Sequence, residues 1–531
     1  MNATSQELPD NIDELKEIII SKAKALDFFQ LRIQSLEEKN RHLRSQLFGR
    51  KSEKIIEKDE QQPPLFDEAE EIVEQALSRE EKIAIPSHTR KKTGRKPLPK
   101  ELPRVNVIHD LTDDEKICDC GCQMDKIGED VSEKLDIIPA KVQVIRNIRP
   151  KYACKKCEGV ESDGKTVKIA PVPAQILPKA IASEGLLAHI VISKFADALP
   201  LYRQEKMISR IGVDISRATM ANWLIQGASK CRPLIELLER QIRSGPLINI
   251  DETPVQVLNE PGRRNTSKSY MWIFRGGPPD SPVLTYQYHP SRSGQIPKDF
   301  LGNYNGFIQT DAYSGYDALG RKPGIILVGC WAHARRNFID VVNARKNNKA
   351  SKKQKTGSAE VAINYIRKLY AIEKEAQNLS YEEIAGLRQE KSKPVLDEFK
   401  KWLDKRVSQT PPKGLLGKAI NYALNQWKRL IVYIKDGRLK PDNNLAENAI
   451  RPFVVGRKNW LFSGHPRGAE AGSIFYSLIE TSKANGLEPY SYLRYIFDRL
   501  PLAETTSDYK NLLPQNVDRK VFQTMALGAV N

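Results

Sequence analysis

Long apolar runs are missing from this sequence. Nowhere do about eighteen uncharged apolar residues follow one another, the least that a bilayer-crossing helix needs. The most apolar stretch, Gly185 to Leu199, is broken by His189, Lys194 and Asp197. The N-terminal residues include acids where a secretory leader has a basic patch and then an apolar run. These absences speak against a membrane partner and point to the cytoplasm. Acidic side chains are also short in number, 66 against 84 lysines and arginines, which leaves a net charge of +18 over 531 residues. An excess of this sign favours polyanions, because neutralised phosphates release condensed counterions. With the membrane set aside, nucleic acid is the expected partner. Cysteine is scarce as well: seven occur, and five of them lie between Cys118 and Cys157. A reducing cytosol keeps thiols free, so the cluster predicts a metal site and not a disulfide framework. A chain of this length is expected to fold as two to four domains.

What is present is strongly periodic at the start. Ile12, Leu15, Ile19, Leu26, Phe29, Ile33, Leu36, Leu43 and Leu47 follow steps of three and four, with Lys22 and Asn40 in the two polar places. That is the seam of a coiled coil, in which polar positions fix register and favour two strands. Residues 1–55 are therefore expected to join copies of the chain into a dimer or a larger assembly. Residues 56–110 change to Gln61-Gln62-Pro63-Pro64 and an acidic stretch, the composition of a linker. Near its end, Arg90-Lys91-Lys92-Thr93-Gly94-Arg95-Lys96-Pro97 forms a basic strip that suits either a phosphate backbone or solvent alone. Within 111–165, Cys118, Cys120 and Cys122 precede Cys154-Lys155-Lys156-Cys157, separated by strand-like sequence such as Lys141 to Ile148. Four of these five thiolates can wrap one structural Zn²⁺, which stabilises a module too small to fold on apolar burial alone. The first knuckle offers three cysteines for two places.

Between residues 180 and 235 the period lengthens to that of helices. One helix ends near Leu199-Pro200, a second covers Tyr202 to Ile211, Gly212 marks a turn, and Ser216 is placed to cap a third. This is the outline of a helix-turn-helix, in which Arg217, Thr219, Met220 and Asn222 open the recognition helix and reach base edges. An ordinary helical hairpin has the same outline.

The chemistry lies in residues 245–480. Leu247 to Val257 reads as an apolar strand with Asp251 in its middle, followed by strands at Tyr270 to Phe274 and Val283 to Tyr288. Gly306 to Thr310 then runs into Asp311, before a strand at Ile325 to Cys330 and a helix with His333, Arg335 and Arg336. This order predicts a ribonuclease H-like α/β core with Asp251 and Asp311 on adjacent strands. Crowded carboxylates repel unless divalent cations neutralise them, and hard oxygen donors suit two Mg²⁺ (or Mn²⁺) ions acting on a phosphodiester. Glu447, on a helix that Asp442 or a neighbouring Asn can cap, is the candidate third acid. Singly, each acid fits a surface role, and Glu447 with Arg451 would make an ordinary i,i+4 pair. Asp251 is harder to dismiss, because an unpaired carboxylate buried in an apolar strand is costly. Cys330 and His333, two ligands on one turn, lack partners in the sequence and are set aside as a metal pair. Lys-rich helices over about 341–436 separate the second and third acids as an insertion. His333, Arg336, Arg451, Arg457, Lys458 and Trp460 are candidate DNA contacts, the last three in a segment that combines charge with stacking. The expected whole is a multidomain α+β protein: the ribonuclease H-like core with its helical insertion, preceded by coiled coil, zinc-binding module and helix-turn-helix.

Taken together, the cysteine knuckles, Asp251-Glu252-Thr253-Pro254, Thr310-Asp311-Ala312-Tyr313-Ser314-Gly315-Tyr316, Cys330-Trp331-Ala332-His333-Ala334-Arg335-Arg336 and Asn444 to Ser463 resemble the TnpC-type transposases of the insertion sequence 66 family. The resemblance implies a leucine zipper, a zinc-binding domain, a helix-turn-helix and a DDE domain whose triad falls on Asp251, Asp311 and Glu447. It also implies accessory proteins from the same element and a small C-terminal domain over 485–528. The expected activity is Mg²⁺-dependent cleavage and strand transfer of double-stranded DNA, with binding to terminal inverted repeats and to a target. A DNA-binding regulator, an inactive transposase remnant, and a nuclease or resolvase that cuts without joining are the rival readings.

Overall fold

The computed structural model describes residues 142–153, 167–346 and 357–518, with scattered positions between Asn11 and Asn40. The five clustered cysteines and the basic strip lie outside the described residues. Every described position from Asp13 to Asn40 is helical, and Leu26, Phe29, Ile33 and Leu36 are all exposed along that helix. No described helix is long and apolar enough to cross a membrane.

Residues 72–173 form a unit of their own. Its described part pairs β1 (Lys151–Ala153) antiparallel with β2 (Val167–Ile169), Lys151 opposite Ile169. The strand expected from Lys141 to Ile148 does not form: residues 142–150 have no regular structure, and Val142, Val144, Ile145 and Ile148 are exposed. Alternating apolar residues specify a strand only when a covered face or a hydrogen-bonded neighbour rewards the pattern.

In the other unit, α1 (Glu184–Phe195) starts where the Ser183 hydroxyl accepts the Leu186 N–H. After Pro200 comes α2 (Leu201–Ser209), and then a turn through Gly212, whose φ of 82° a side chain would strain. Ser216 opens α3 (Arg217–Ser244) as expected, its hydroxyl accepting the Thr219 N–H at 3.1 Å. Met220 is a correction: it is fully buried among the core residues and cannot reach a base edge. Helical spacing puts it about 160° round the helix from exposed Asn222, and apolar burial decides which face turns inward.

The sheet follows from α3. β3 (Leu247–Val257), β4 (Lys268–Gly276) and β5 (Val283–His289) form an antiparallel meander, then α4 (Gln295–Leu301) leads to β6 (Gly306–Gln309) and β7 (Ile325–Val328). The strand order is β5-β4-β3-β6-β7, with β6 and β7 running parallel to β3. An edge strand leaves unpaired backbone groups, and β5 meets this constraint through a helix. On α11 (Pro466–Ala484), Ser477 accepts the Tyr286 N–H, while Thr481 accepts the Leu284 N–H and donates to the Leu284 carbonyl.

A second apolar cluster belongs to the segment between the sheet and α10 (Asn444–Trp460). It is built by α5 (Trp331–Lys346), α6 (Ser358–Glu375), α8 (Lys393–Val407) and α9 (Leu415–Leu430), with the short α7 (Tyr381–Leu387) between α6 and α8 in the chain. A π-turn, Arg388–Ser392, joins α7 to α8 and turns Arg388 fully inward. Its guanidinium takes both carboxylate oxygens of Glu373, at 2.8 and 2.6 Å, and donates to the carbonyls of Tyr433, Asp436 and Leu439. The last helices, α12 (Pro489–Arg499) and α13 (Thr506–Asn511), follow α11. Tyr492, Leu493, Ile496 and Phe497 of α12 share one apolar cluster with Leu187 of α1, Trp223 of α3 and Ile248 of β3.

Removing one member of a buried charge pair leaves the other uncompensated. Arg388→Met is expected to lower unfolding free energy by about 3–5 kcal/mol, read as a lower denaturant midpoint. Adding Glu373→Gln in the same chain should recover part of that loss; equal destabilisation by single and double variants would contradict the pairing.

Candidate active site

Parallel pairing of β3 with β6 sets Asn249 against Gln309. Asp251 and Asp311 each lie two residues further along, so the two acids stand at one level, Asp251 within β3 and Asp311 just past β6. Glu447 lies in the first turn of α10 and is buried. What brings that helix to the strands is a set of buried amides. Asn249 Nδ2 donates to Gln309 Oε1 at 3.0 Å and to Asn443 Oδ1 at 3.1 Å, and Asn443 Nδ2 donates to the Ile250 carbonyl at 3.0 Å. Gln309 Nε2 donates to the Lys440 carbonyl at 2.7 Å. Asn443 occupies the N-cap position but spends its side chain on β3. Asp442 serves the helix start instead, its Oδ1 accepting the Asn444 N–H while its Oδ2 accepts the Tyr370 hydroxyl from α6.

The electrostatics of the acids follow from this crowding. Burial pushes the Asp251 carboxyl well above the usual carboxylate range, and the charges of Glu252, Glu447 and Asp311 push the same way. The backbone N–H of Glu252, donated to Asp251 Oδ1 at 2.9 Å, opposes them weakly. Glu252 itself is raised by burial but compensated by the Tyr316 hydroxyl and by Arg292, whose Nε donates at 2.6 Å. Arg292 in turn lies over the Tyr313 ring at 3.8 Å, and the Tyr313 N–H is held by Asp311 Oδ1 at 2.9 Å. Glu252 is thus tied down by a cation, whereas Asp251 has acidic neighbours and an open edge. The donor set, three carboxylates that repel one another, fits hard divalent cations.

The sequence leaves Cys330 and His333 without partners, and the fold supplies one. His333 Nδ1 lies 3.5 Å from Glu447 Oε1, and one donor atom each of Cys330, His333 and Glu447 lies within 4.8 Å of the other two. Burial and then the Arg336 charge lower the His333 pKa, which favours the neutral imidazole. The Cys330 sulfur accepts the Asn443 N–H, so it also belongs to the anchor of α10. Arg336 Nη2 stands 4.0 Å from Glu447 Oε2. Arg292 escapes a reading of sequence, because no spacing links it to Glu252, the acid it touches.

The other candidates are spread along one side chain route. Arg451 lies one turn beyond Glu447 on α10 and is partly exposed. Arg457 donates to the Thr253 hydroxyl at 3.1 Å, Lys458 is exposed, and Trp460 packs edge-on to Phe453. Arg217 and Asn222 are exposed at the start of α3, while the Thr219 hydroxyl sits 3.0 Å from that of Ser216 and is engaged in the cap.

Family models match along most of the chain: Transposase IS66 family over residues 179–471, the zinc-finger binding domain of transposase IS66 over 115–158, Transposase C of IS166 homeodomain over 35–107 and the IS66 C-terminal element over 477–515. Three proteins of Sinorhizobium fredii strain NGR234, each described as uncharacterized, are similar to it. The protein y4jD is 35% identical over 79% of this chain and 81% of its own length. The protein y4hP is 30% identical over 94% and 91%, and y4qI is 30% identical over 96% and 98%.

A raised carboxyl in the folded state has a thermodynamic consequence. Between the ordinary aspartate range and the raised value, the unfolded chain releases a proton that native Asp251 keeps, so stability falls as pH rises through that window. Without divalent cations, Asp251→Asn is therefore expected to melt higher than the unsubstituted chain at neutral pH, the gap closing below the ordinary aspartate pKa. Added Mg²⁺ should raise the melting temperature of the unsubstituted chain more than that of the variant. An Asn variant that melts lower at neutral pH would contradict the electrostatic account.

Proposed function

Because the chain belongs to the Transposase IS66 family, we propose that it cuts and joins DNA as a DDE transposase, with Asp251, Asp311 and Glu447 as its catalytic carboxylates. The observation that carries this reading is the convergence of three acids distant in sequence: the charges of Glu447 and Asp311 both act on the Asp251 carboxyl. The strand order, three antiparallel strands followed by two parallel ones, supports a ribonuclease H-like core. Two Mg²⁺ or Mn²⁺ ions held by these carboxylates supply activation of the attacking oxygen and stabilisation of the leaving one.

The chain's own residues do the rest. Arg336, Arg451, Arg457 and Lys458 bind phosphates and set the strand in line with the acids. Neutral His333, against Glu447, keeps that carboxylate in place without competing as a fixed positive charge. The clamp of Arg292 and Tyr316 on Glu252 holds the backbone that presents Asp251. Water attacks the scissile phosphorus and a 3′-hydroxyl leaves; that hydroxyl then attacks a target phosphodiester, releasing the target's own 3′-oxygen. No covalent bond to the protein forms.

Recognition of the terminal inverted repeats falls to α2, the Gly212 turn and α3, through Arg217, Thr219 and Asn222. The zinc-finger domain, with four of Cys118, Cys120, Cys122, Cys154 and Cys157 on one Zn²⁺, and the basic strip add affinity. The exposed stripe of Leu26, Phe29, Ile33 and Leu36 supports self-association through a coiled coil. Accessory proteins of the same element complete the assembly, which works on DNA in the cytoplasm.

Asp251→Asn and Glu447→Gln are each expected to abolish strand cleavage, and transfer of pre-cleaved ends, by a factor of about 10³ or more, while leaving binding of terminal DNA within about twofold. Gel assays on labelled duplexes read both quantities. Cleavage that survives either substitution would remove that acid from the site.

A further inference from the structure

Next to the segment that follows α10 lies a cavity of about 160 Å³. Its walls come from several elements: α1 gives Lys194, α3 gives Leu224 and Ile225, the end of α10 with its continuation gives Trp460 and Phe462, and α11 gives a stretch that ends at Tyr476, with single residues from α2 and β4. Apart from the Lys194 amine, the Trp460 indole N–H and the Tyr476 and Ser463 hydroxyls, the side chains of the lining are apolar. An apolar cavity of about this size takes one small aromatic ring. Phe462 and Gly464, at its rim, are exposed, so the cavity opens to solvent on that side.

The polar group in this wall is unusual. Lys194 Nζ sits 5.5 Å from the centre of the Phe195 ring and 5.7 Å from that of Trp460, and no carboxylate pairs with it among the described residues. Burial lowers its pKa to about 8. An amine kept in such a place, at a desolvation cost, is set to donate to an acceptor on whatever enters. The chain also strains its backbone here: Leu461, between α10 and β8 (Phe462–Ser463), has a φ of 65° although it is not glycine. That turn lays β8 alongside β3, Phe462 beside Gln256.

From this the geometry points to a pocket for a single extrahelical nucleobase, a one-ring pyrimidine, stacked on Trp460 and hydrogen-bonded through its carbonyl oxygens by Lys194. An apolar side chain from another protein would leave that amine without an acceptor, whereas a pyrimidine carries acceptors at the ring edge. The exposed Lys458 and Arg467, and Arg457 on the same side, suit the phosphates that accompany a base. The assignment rests on the strand-cleavage reading above, which puts DNA across the acids. Trp460 is thirteen residues from Glu447 along α10, and Gln256 is five residues from Asp251 along β3. At about 1.5 Å per helical residue and about 3.3 Å per strand residue, both routes give roughly 17–20 Å. At about 3.4 Å per base step, the captured base therefore lies within about six steps of the phosphate at the acids.

The test places 5-iodouracil, one position at a time, through the terminal DNA of the element that encodes this chain. The full-length protein is bound in Ca²⁺ to keep the DNA uncut, and long-wavelength irradiation is followed by mass spectrometry of the cross-linked peptide. One position within about six steps of the cleavage point should dominate, joined to the peptide containing Trp460 and Phe462. Trp460→Leu should weaken binding of terminal DNA about tenfold and remove the dominant cross-link. Lys194→Met, which replaces a buried amine by an apolar group of similar length and so spares the fold, should lower the cross-link yield and reduce the salt dependence of binding by about one charge. Normal DNA binding with cross-links outside the pocket, or a yield unchanged in both variants, would overturn the pocket and leave the cleavage reading standing. Failure to bind terminal DNA in preference to random duplex would overturn both.

Discussion

Everything at the candidate site depends on three buried amides. Asn249, Gln309 and Asn443 are almost wholly removed from solvent, and they donate to one another or to backbone carbonyls of the elements they join. A buried amide without partners costs free energy of the order of a lost hydrogen bond or more, about 1–3 kcal/mol. With α10 seated as it is against β3 and β6, the side-chain nitrogen of each of the three donates to a partner. Apolar packing under that helix, from Ala446, Ala449, Ile450 and Phe453, would tolerate small slides; the amides do not. Glu447 is one turn beyond Asn443, so its place near enough for its charge to act on Asp251 is inherited from a network that contains no acid.

That separation of duties explains how a repulsive cluster is tolerated. Asp251, Asp311 and Glu447 gain nothing from one another's company in the absence of cations, and burial makes the repulsion worse for Asp251. The stabilising contacts are carried nearby: Glu252 is paired with Arg292 and hydrogen-bonded by Tyr316, and Asp442 accepts from Tyr370 and the Asn444 N–H. Asp251 thus has an anchored neighbour in sequence, Glu252, and the anchored neighbour is the poorer candidate for binding ions.

The elements of this fold were largely legible because their signals are local. The alternating strand around Asp251, the cap at Ser216 and the order of strands all rest on residue patterns that neighbouring positions are enough to specify. Asp251 stands out in the sequence because a carboxylate in an apolar strand is rare. What stayed hidden is what depends on tertiary pairing. Cys330 and His333 look like a ligand pair without a third member until α10 brings Glu447 beside them, across more than a hundred residues. Arg292 is an ordinary loop cation in sequence, and its grip on Glu252 comes from the loop that follows β5, a strand separated from β3 by β4. Local signals also overreach. Val142, Val144, Ile145 and Ile148 make a strand-like stretch that forms no strand, and Met220 turns inward among the core residues.

The helical segment between the second and third acids is tied to the site, and the ties have a direction. Arg388, turned inward by the π-turn, collects the carbonyls of Tyr433, Asp436 and Leu439, while Gln309 collects that of Lys440 from the sheet side. Trp331 at the start of α5 donates its N–H to the Pro441 carbonyl and its indole N–H to the Leu430 carbonyl. Residues 433–443 are therefore pinned from both cores, with Asn443 as the last point before the helix of Glu447 begins. A loop held from one side could pivot about its anchor and carry the third acid away from the strands. Held from two sides, it transmits the rigidity of the helical cluster to Glu447, so that the insertion acts as a buttress for the carboxylate that the sheet alone cannot supply.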